Sequence, residues 1–195
     1  MTTNNAGSLL ENRRLRPAAV AVACATLGVL AAGQVAANSG HGQALKEQNR
    51  EVRAQLAQLE KAVSAFYSYD VAQAAGWDTV ISPCVESPMG GMGYHVANMD
   101  ELANKPFSVS LLRPEVLLYA PTADGSMEFL GVEYIVPYTP DNASNPPSIL
   151  GQEFEYNPNV GPNGIWALHV WIARHNPAGI FAPFNPTVSC KFADD

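Results

Sequence analysis

Positive charge is scarce in this sequence, and most of it lies near the start. Of eleven lysines and arginines in 195 residues, only Lys105, Arg113, Arg174 and Lys191 follow Phe66, where fourteen Asp and Glu leave a net charge of −10. A surface of that sign repels phosphate backbones and anionic lipid, which argues against a nucleic-acid partner and turns the region toward cations. Charge of either sign is low, 15% of residues against 47% hydrophobic, which excludes an acid-rich disordered chain and describes a compact fold. No HxH, HExxH or CxxC occurs, so no metal motif carried by a single helix or loop is present. The glycines of Met89-Gly-Gly-Met-Gly93 are followed by no Lys and Thr to hold phosphate. Ser87, Ser108 and Ser110 sit in no nucleophile elbow, and no internal repeat appears.

Cysteine is also sparse, with three in all, and its placement is informative. Cys24 lies within an apolar run from Ala18 to Ala32, which follows Arg13, Arg14 and Arg16 and ends near the small residues Val35, Ala36 and Ala37. These are the three parts of a signal peptide, with cleavage expected before Asn38. An uncleaved anchor is the competing reading, since Pro17 to Ala37 has 21 residues and a membrane helix needs about 20. The Ala-rich run with Gly28, Gly33 and Gln34 favours cleavage. A lipoprotein reading of Cys24 fails because Ala21 stands where a Leu is needed. The expected location is therefore exported, periplasmic or extracellular. Cys84 and Cys190 then share an oxidising compartment and are expected to join. Such a bridge contributes on the order of 4 to 5 kcal/mol by loop entropy. Two buried free thiols are the alternative.

Removal of residues 1–37 leaves 158, the size of one domain. Residues 44–75 carry the strongest helical pattern. Leu45, Val52, Leu59 and Phe66 recur every seven positions, with Asn49, Leu56 and Val63 four after the first three. The seam either pairs two copies as a short coiled coil, a homo-oligomer through helix 45–66, or lies on its own domain. Three heptads are marginal for independent pairing, which favours the second for the C-terminal half. Gly76 is placed to cap the helix and Trp77 to fold back onto the core.

From residue 79 the period changes to two. Strands are expected near Thr79–Ser82, Gly91–Val96, Glu115–Ala120, Met127–Val136 and Ile165–Ala173, with a hairpin turning through Asp124-Gly125. One helical turn is expected near Asn98 to Leu102. Residues 137–164, with six prolines and five asparagines, form a long ordered loop or a flap. The expected fold is α+β, a long N-terminal helix packed on an antiparallel sheet or partial barrel, with long Pro-rich loops. The tail from His175 to Cys190 is non-helical and pinned by the disulfide. The domains expected are 1–37, targeting; 38–64, linker and helical stalk; and 65–195, the α+β domain.

The blocks Ser82-Pro-Cys-Val-Glu-Ser-Pro-Met-Gly-Gly-Met-Gly-Tyr-His95, Arg113-Pro-Glu-Val-Leu-Leu-Tyr119, Val132-Glu-Tyr134, Leu168-His-Val-Trp171 and Phe181-Ala-Pro-Phe-Asn-Pro-Thr-Val-Ser-Cys190 resemble those of a group of uncharacterised exported bacterial proteins. The resemblance covers most of the mature chain. It implies export, the limits of the domain and an added stalk over residues 38–64, and it transfers no function.

Chemistry is suggested by polar residues inside apolar strands: His95 in Gly-Tyr-His-Val, Glu133 in Gly-Val-Glu-Tyr-Ile-Val and His169 in Trp-Ala-Leu-His-Val-Trp. A carboxylate in such a run is costly unless paired or metal-bound, which makes Glu133 the most informative of the three. If the strands share a sheet, alternation places the trio on one face, a donor set suited to Zn, Fe or Cu with an open position. Glu115 is a candidate fourth ligand and His175 a weaker one. Met89 and Met92, near His95, would favour Cu(I), although methionines also fill irregular gaps. The alternative is structural: each His donates to a backbone carbonyl, and Glu133 is satisfied by Arg113, Arg174 or a tyrosine hydroxyl. Tyr94, Tyr119, Tyr134, Trp166, Trp171, Phe181 and Phe184 line either a core or a pocket beneath the 137–164 loop. The functional expectation is an exported small binding domain for a metal ion or small ligand. A protein assembling through its helix, or a metal-dependent enzyme, are the alternatives.

Overall fold

The computed structural model describes residues 30–193. The expected targeting segment, with Cys24, lies almost wholly outside them. Among the described residues no helix is long and apolar enough to cross a membrane. The chain divides into two units, Met1–Gln43 and Ala44–Asp195, and apart from the first part of one helix every feature below belongs to the second.

The helix α1 spans Leu30–Val63. Along its heptad seam exposure falls toward the C-terminus: Leu45 is exposed, Leu56 packs against the core, and Leu59 and Val63 are fully buried in it. Two residues expected in the stalk are therefore core residues. The expected continuous helix to residue 75 is interrupted by a 3-10 turn, Ser64–Tyr67, and by Ser68 in extended conformation, before α2, Tyr69–Ala74. The cause is aromatic. A regular helix spreads positions 66, 67 and 69 over about 160°, whereas the break lets Phe66 meet Trp77, Tyr67 meet Phe129 and Tyr69 meet Tyr119, at ring separations of 4.7, 5.3 and 4.9 Å. The Phe66 carbonyl accepts the Tyr119 hydroxyl at 2.6 Å. Gly76, at φ +100°, turns the chain after α2, and Trp77 is buried with its indole N–H donating to the Pro114 carbonyl.

Eight strands follow: β1 Trp77–Ser87, β2 Gly90–Asn98, β3 Val116–Pro121, β4 Met127–Pro137, β5 Ser148–Ile149, β6 Gln152–Glu153, β7 Glu155–Asn157 and β8 Ile165–Val170. The helix α3, Met99–Asn104, separates β2 from β3, and the Asn98 side chain caps it by accepting the Asp100 and Glu101 N–H groups. Six strands form one antiparallel sheet in the order β1-β2-β3-β4-β8-β7, curled into a half-barrel, while β5 and β6 form a separate hairpin. The expected hairpin of β3 and β4 is present, with Gly125 at φ +83° in its turn. Within the 137–164 loop, β5, β6, β7 and the buried Leu150 and Phe154 tie the chain down.

Strand alternation sorts the side chains into two packed groups. One holds Leu59, Val63, Val96, Leu117, Tyr119, Val132, Tyr134, Trp166 and Leu168. The other holds Ala97, Val116, Leu118, Ile135 and Trp171. Along β4, Val132, Tyr134 and Val136 point to the first group, so Glu133 shares its face with the second. The non-helical tail closes over that side. Asn185 exchanges two backbone hydrogen bonds with Gly91, the Trp171 indole donates to the Ala182 carbonyl, and Cys84 and Cys190 are joined by a disulfide spanning 106 positions.

Candidate metal centre

Three strands of the sheet, β2, β4 and β8, bring His95, Glu133 and His169 together, with β3 lying between β2 and β4. Glu133 on β4 stands directly opposite His169 on β8. On the other side Glu133 is opposite Val116, which is opposite Ala97 on β2, so His95 lies two residues away along β2 on the same face. β2 reaches this register after an irregularity in which Val85 opposes Gly93 and Glu86 opposes Gly91. Gly93 is at φ +82°, and a Cβ there would lie 2.3 Å from the Tyr119 carbonyl oxygen, so only glycine fits this approach.

The donor atoms converge. Nε2 of His95 is 3.6 Å from Glu133 Oε2, Nε2 of His169 is 3.7 Å from Glu133 Oε1, and one donor atom from each residue lies within 4.8 Å of the others. A tetrahedral ion with bonds of about 2.1 Å sets its donors about 3.4 Å apart, so modest side-chain rotation closes the trio on an ion. The imidazoles meet edge to face, with centroids 5.7 Å apart, and His169 stacks on Trp171.

All three side chains are buried, and two of their polar atoms, Glu133 Oε2 and His169 Nε2, have no hydrogen-bond partner. Both arginines expected to satisfy Glu133, and the hydroxyls of Tyr119 and Tyr134, are engaged elsewhere. Arg113 binds Glu101, Arg174 binds Glu128, the Tyr119 hydroxyl donates to Phe66 and the Tyr134 hydroxyl to Leu111. Burial therefore acts without relief. It lowers the pKa of His95 to about 4 and that of His169 to about 3, the latter helped by the neighbouring His95, and raises Glu133 to about 8, helped by the charge of Glu115. Both imidazoles are neutral at pH 7, the state in which nitrogen binds a metal.

Ser82 lies opposite His95 on β1, with its Oγ 2.7 Å from His95 Nδ1 and 3.0 Å from the Pro83 carbonyl oxygen. In the tautomer that carries its hydrogen on Nδ1, the imidazole donates to Ser82 and the Nε2 lone pair faces Glu133. Support of this kind for a metal-binding imidazole orients the ring and raises its basicity. Sequence reasoning missed Ser82, because a cross-strand partner is visible only once register is known.

Of the other candidates, Met92 alone shares the trio's cavity. The Glu115 carboxylate does not join the cluster; it accepts the Ile135 N–H at 3.2 Å, and burial raises its pKa to about 7. His175 is exposed on the tail, and Met89 is exposed at the β1–β2 turn. Met92 lines a cavity of about 300 Å³ that opens onto the trio, together with Ser82, Ile135, Val160, Ile165 and Phe184. Of the seven aromatic residues considered, Phe184 alone lines this cavity; Tyr119, Tyr134 and Trp166 are core. The 137–164 loop contributes Asn157, Asn159 and Val160 to the wall.

The chain matches no protein-family model, no curated protein and no solved structure.

Proposed function

We propose that this domain binds one divalent transition-metal ion through His95, Glu133 and His169, with a further coordination position facing the cavity. One observation carries the reading: Glu133 Oε2 and His169 Nε2, both buried and both without a partner, belong to a trio in which one donor atom from each residue lies within 4.8 Å of the others, while among the described residues no other buried side-chain nitrogen or oxygen lacks a partner. An unpartnered buried polar atom is destabilising by about 1 to 3 kcal/mol, and a bound cation removes that penalty at both atoms. Two neutral imidazoles and one carboxylate suit Zn(II) or Fe(II), and three protein ligands with an open position are the arrangement of sites that bind or activate a further ligand. Met92 on the cavity wall keeps copper among the candidates. A metal-dependent enzyme built on the same trio is the catalytic form of this proposal.

The chain is further proposed to be exported, supported by the signal-like residues 1–37 and by a disulfide of the kind that persists in oxidising compartments. Metal analysis of the purified protein, with calorimetric titration of the chelated form, tests the binding proposal. The expected result is one ion per chain, lost in His169→Ala and Glu133→Gln. Substoichiometric metal that is the same in both variants overturns it.

A further inference from the structure

Resting on that proposed ion, we infer that the cavity above the trio takes a small monoanion with an aliphatic body, such as a short-chain monocarboxylate, whose charged head occupies the open coordination position.

Charge gives the first half of the inference. Among the residues lining the cavity, Glu133 is the only carboxylate, and no Lys or Arg is present. A divalent cation held by one carboxylate and two neutral imidazoles carries one uncompensated positive charge in a low-dielectric recess. A single anionic head neutralises it. A dianion overshoots, and a cation is repelled.

The walls give the second half. Ile81, Val85, Ile135, Val160, Ile165 and Phe184 present hydrocarbon to the space, and polar groups are confined to the trio, Ser82 and the amides of Asn157 and Asn159. Apolar walls with a few convergent polar groups are the ordinary make-up of a small-molecule site. At about 300 Å³ the space lies at the small end of ligand pockets, which suits a guest of about ten non-hydrogen atoms. Octanoate has that size.

The test uses the full chain loaded with Co(II), whose visible absorption reports both metal binding and a change of ligand at the metal. The loaded protein is titrated with acetate, butanoate, hexanoate and octanoate, and with hexylamine as the cationic counterpart. Each carboxylate is expected to shift the Co(II) bands, with affinity rising about fourfold per methylene up to octanoate. Hexylamine is expected to bind at least tenfold more weakly than hexanoate. Val160→Asp adds an opposing charge at an exposed wall position, remote from the proposed ligands in sequence, and is expected to weaken hexanoate at least tenfold while Co(II) still binds one to one. Affinity independent of chain length, equal binding of the amine, or an unaffected Val160→Asp variant overturns the inference while the metal reading stands. Failure of Co(II) to give protein-bound bands before any carboxylate is added overturns both.

Discussion

Glu133 and His169 are a directly opposed cross-strand pair whose side chains approach to 3.7 Å without forming a hydrogen bond, although both are buried and each has an orphan polar atom. Pairs at this position in a sheet ordinarily contribute favourably. Here the pair is costly to the apo fold, and one strand away Val116 and Leu118 show that the same face accepts hydrocarbon without difficulty. The proposed ion would offset that cost at Glu133.

Replacing that carboxylate should therefore separate stability from binding. Glu133→Leu is expected to raise the stability of the metal-free protein by about 1 to 3 kcal/mol, because an unsatisfied buried group gives way to an apolar side chain of similar volume. The same variant is expected to lose metal binding. Denaturant unfolding in the presence of chelator, followed by zinc titration, measures both. A metal-free variant less stable than the parent would show that Glu133 is satisfied in the native fold.

Ser82 should act on the metal through His95 alone. Ser82→Ala removes the hydroxyl 2.7 Å from Nδ1 and leaves all three proposed ligands in place. Loss of an outer-shell partner of this type lowers metal affinity about 10- to 100-fold. Competition with a chromogenic chelator measures the change, and an unaltered circular dichroism spectrum shows that the fold is retained. Affinity equal to the parent would remove Ser82 from the site.

Much of this site was legible before any coordinates. A carboxylate at Glu133 and imidazoles at His95 and His169 stand out because each interrupts an apolar strand, and period-two alternation then implies a shared face. Register was not legible. Bringing His95 into reach depends on how β2 pairs with β3 and β3 with β4, and no local stretch of sequence specifies those pairings. Glu115 is a candidate fourth ligand in sequence, but its carboxylate accepts the Ile135 N–H. The helix from residue 44 was read correctly in kind, yet its interruption at Ser64–Ser68 is set by where Phe66, Tyr67 and Tyr69 must pack. That demand comes from the far side of the sheet. The cavity walls come from five separate stretches, β1, β2, β4, residues 157–169 and the tail, and only tertiary structure assembles them.

The metal-free protein should lose stability as pH rises above neutrality. His95 and His169 have folded pKa values near 4 and 3 against an ordinary 6.5, so their contribution is present above pH 6.5 and lost as pH falls below it. Glu115 and Glu133 have folded values near 7 and 8 against an ordinary 4.5, so theirs is present below pH 4.5 and lost as pH rises through those values. Between pH 4.5 and 6.5 the two pairs offset one another. From pH 6.5 to about 8 only the carboxyl groups act, each removing about 1.4 kcal/mol per pH unit until it titrates. The expected Tm therefore falls across that interval in chelator. Saturating zinc holds Glu133 ionised, so the Tm gained from metal should grow from pH 6.5 to 8. Glu133→Gln should flatten the metal-free profile above pH 7. A metal-free Tm that rises across this range would contradict the assigned protonation states.

Reduction of the disulfide should reach the cavity as well as the fold. Cys190 is tied to Cys84 on β1, and the same tail supplies Phe184 to the cavity wall and Asn185 to the backbone bridge with Gly91. Removing a native bridge that closes so long a loop is expected to cost about 2 to 5 kcal/mol. Cys84→Ala/Cys190→Ala should therefore unfold at lower denaturant. In conditions where it remains folded, hydrogen exchange should be faster at the amides of Gly91 and Asn185, which are held only by the tail contact. The trio itself rests on β2, β4 and β8 and does not include the tail, so metal stoichiometry should survive. Mass-resolved exchange of the double variant against the parent decides the point: equal protection at Gly91 and Asn185 would mean that the tail docks through its own contacts and the disulfide only fastens its end.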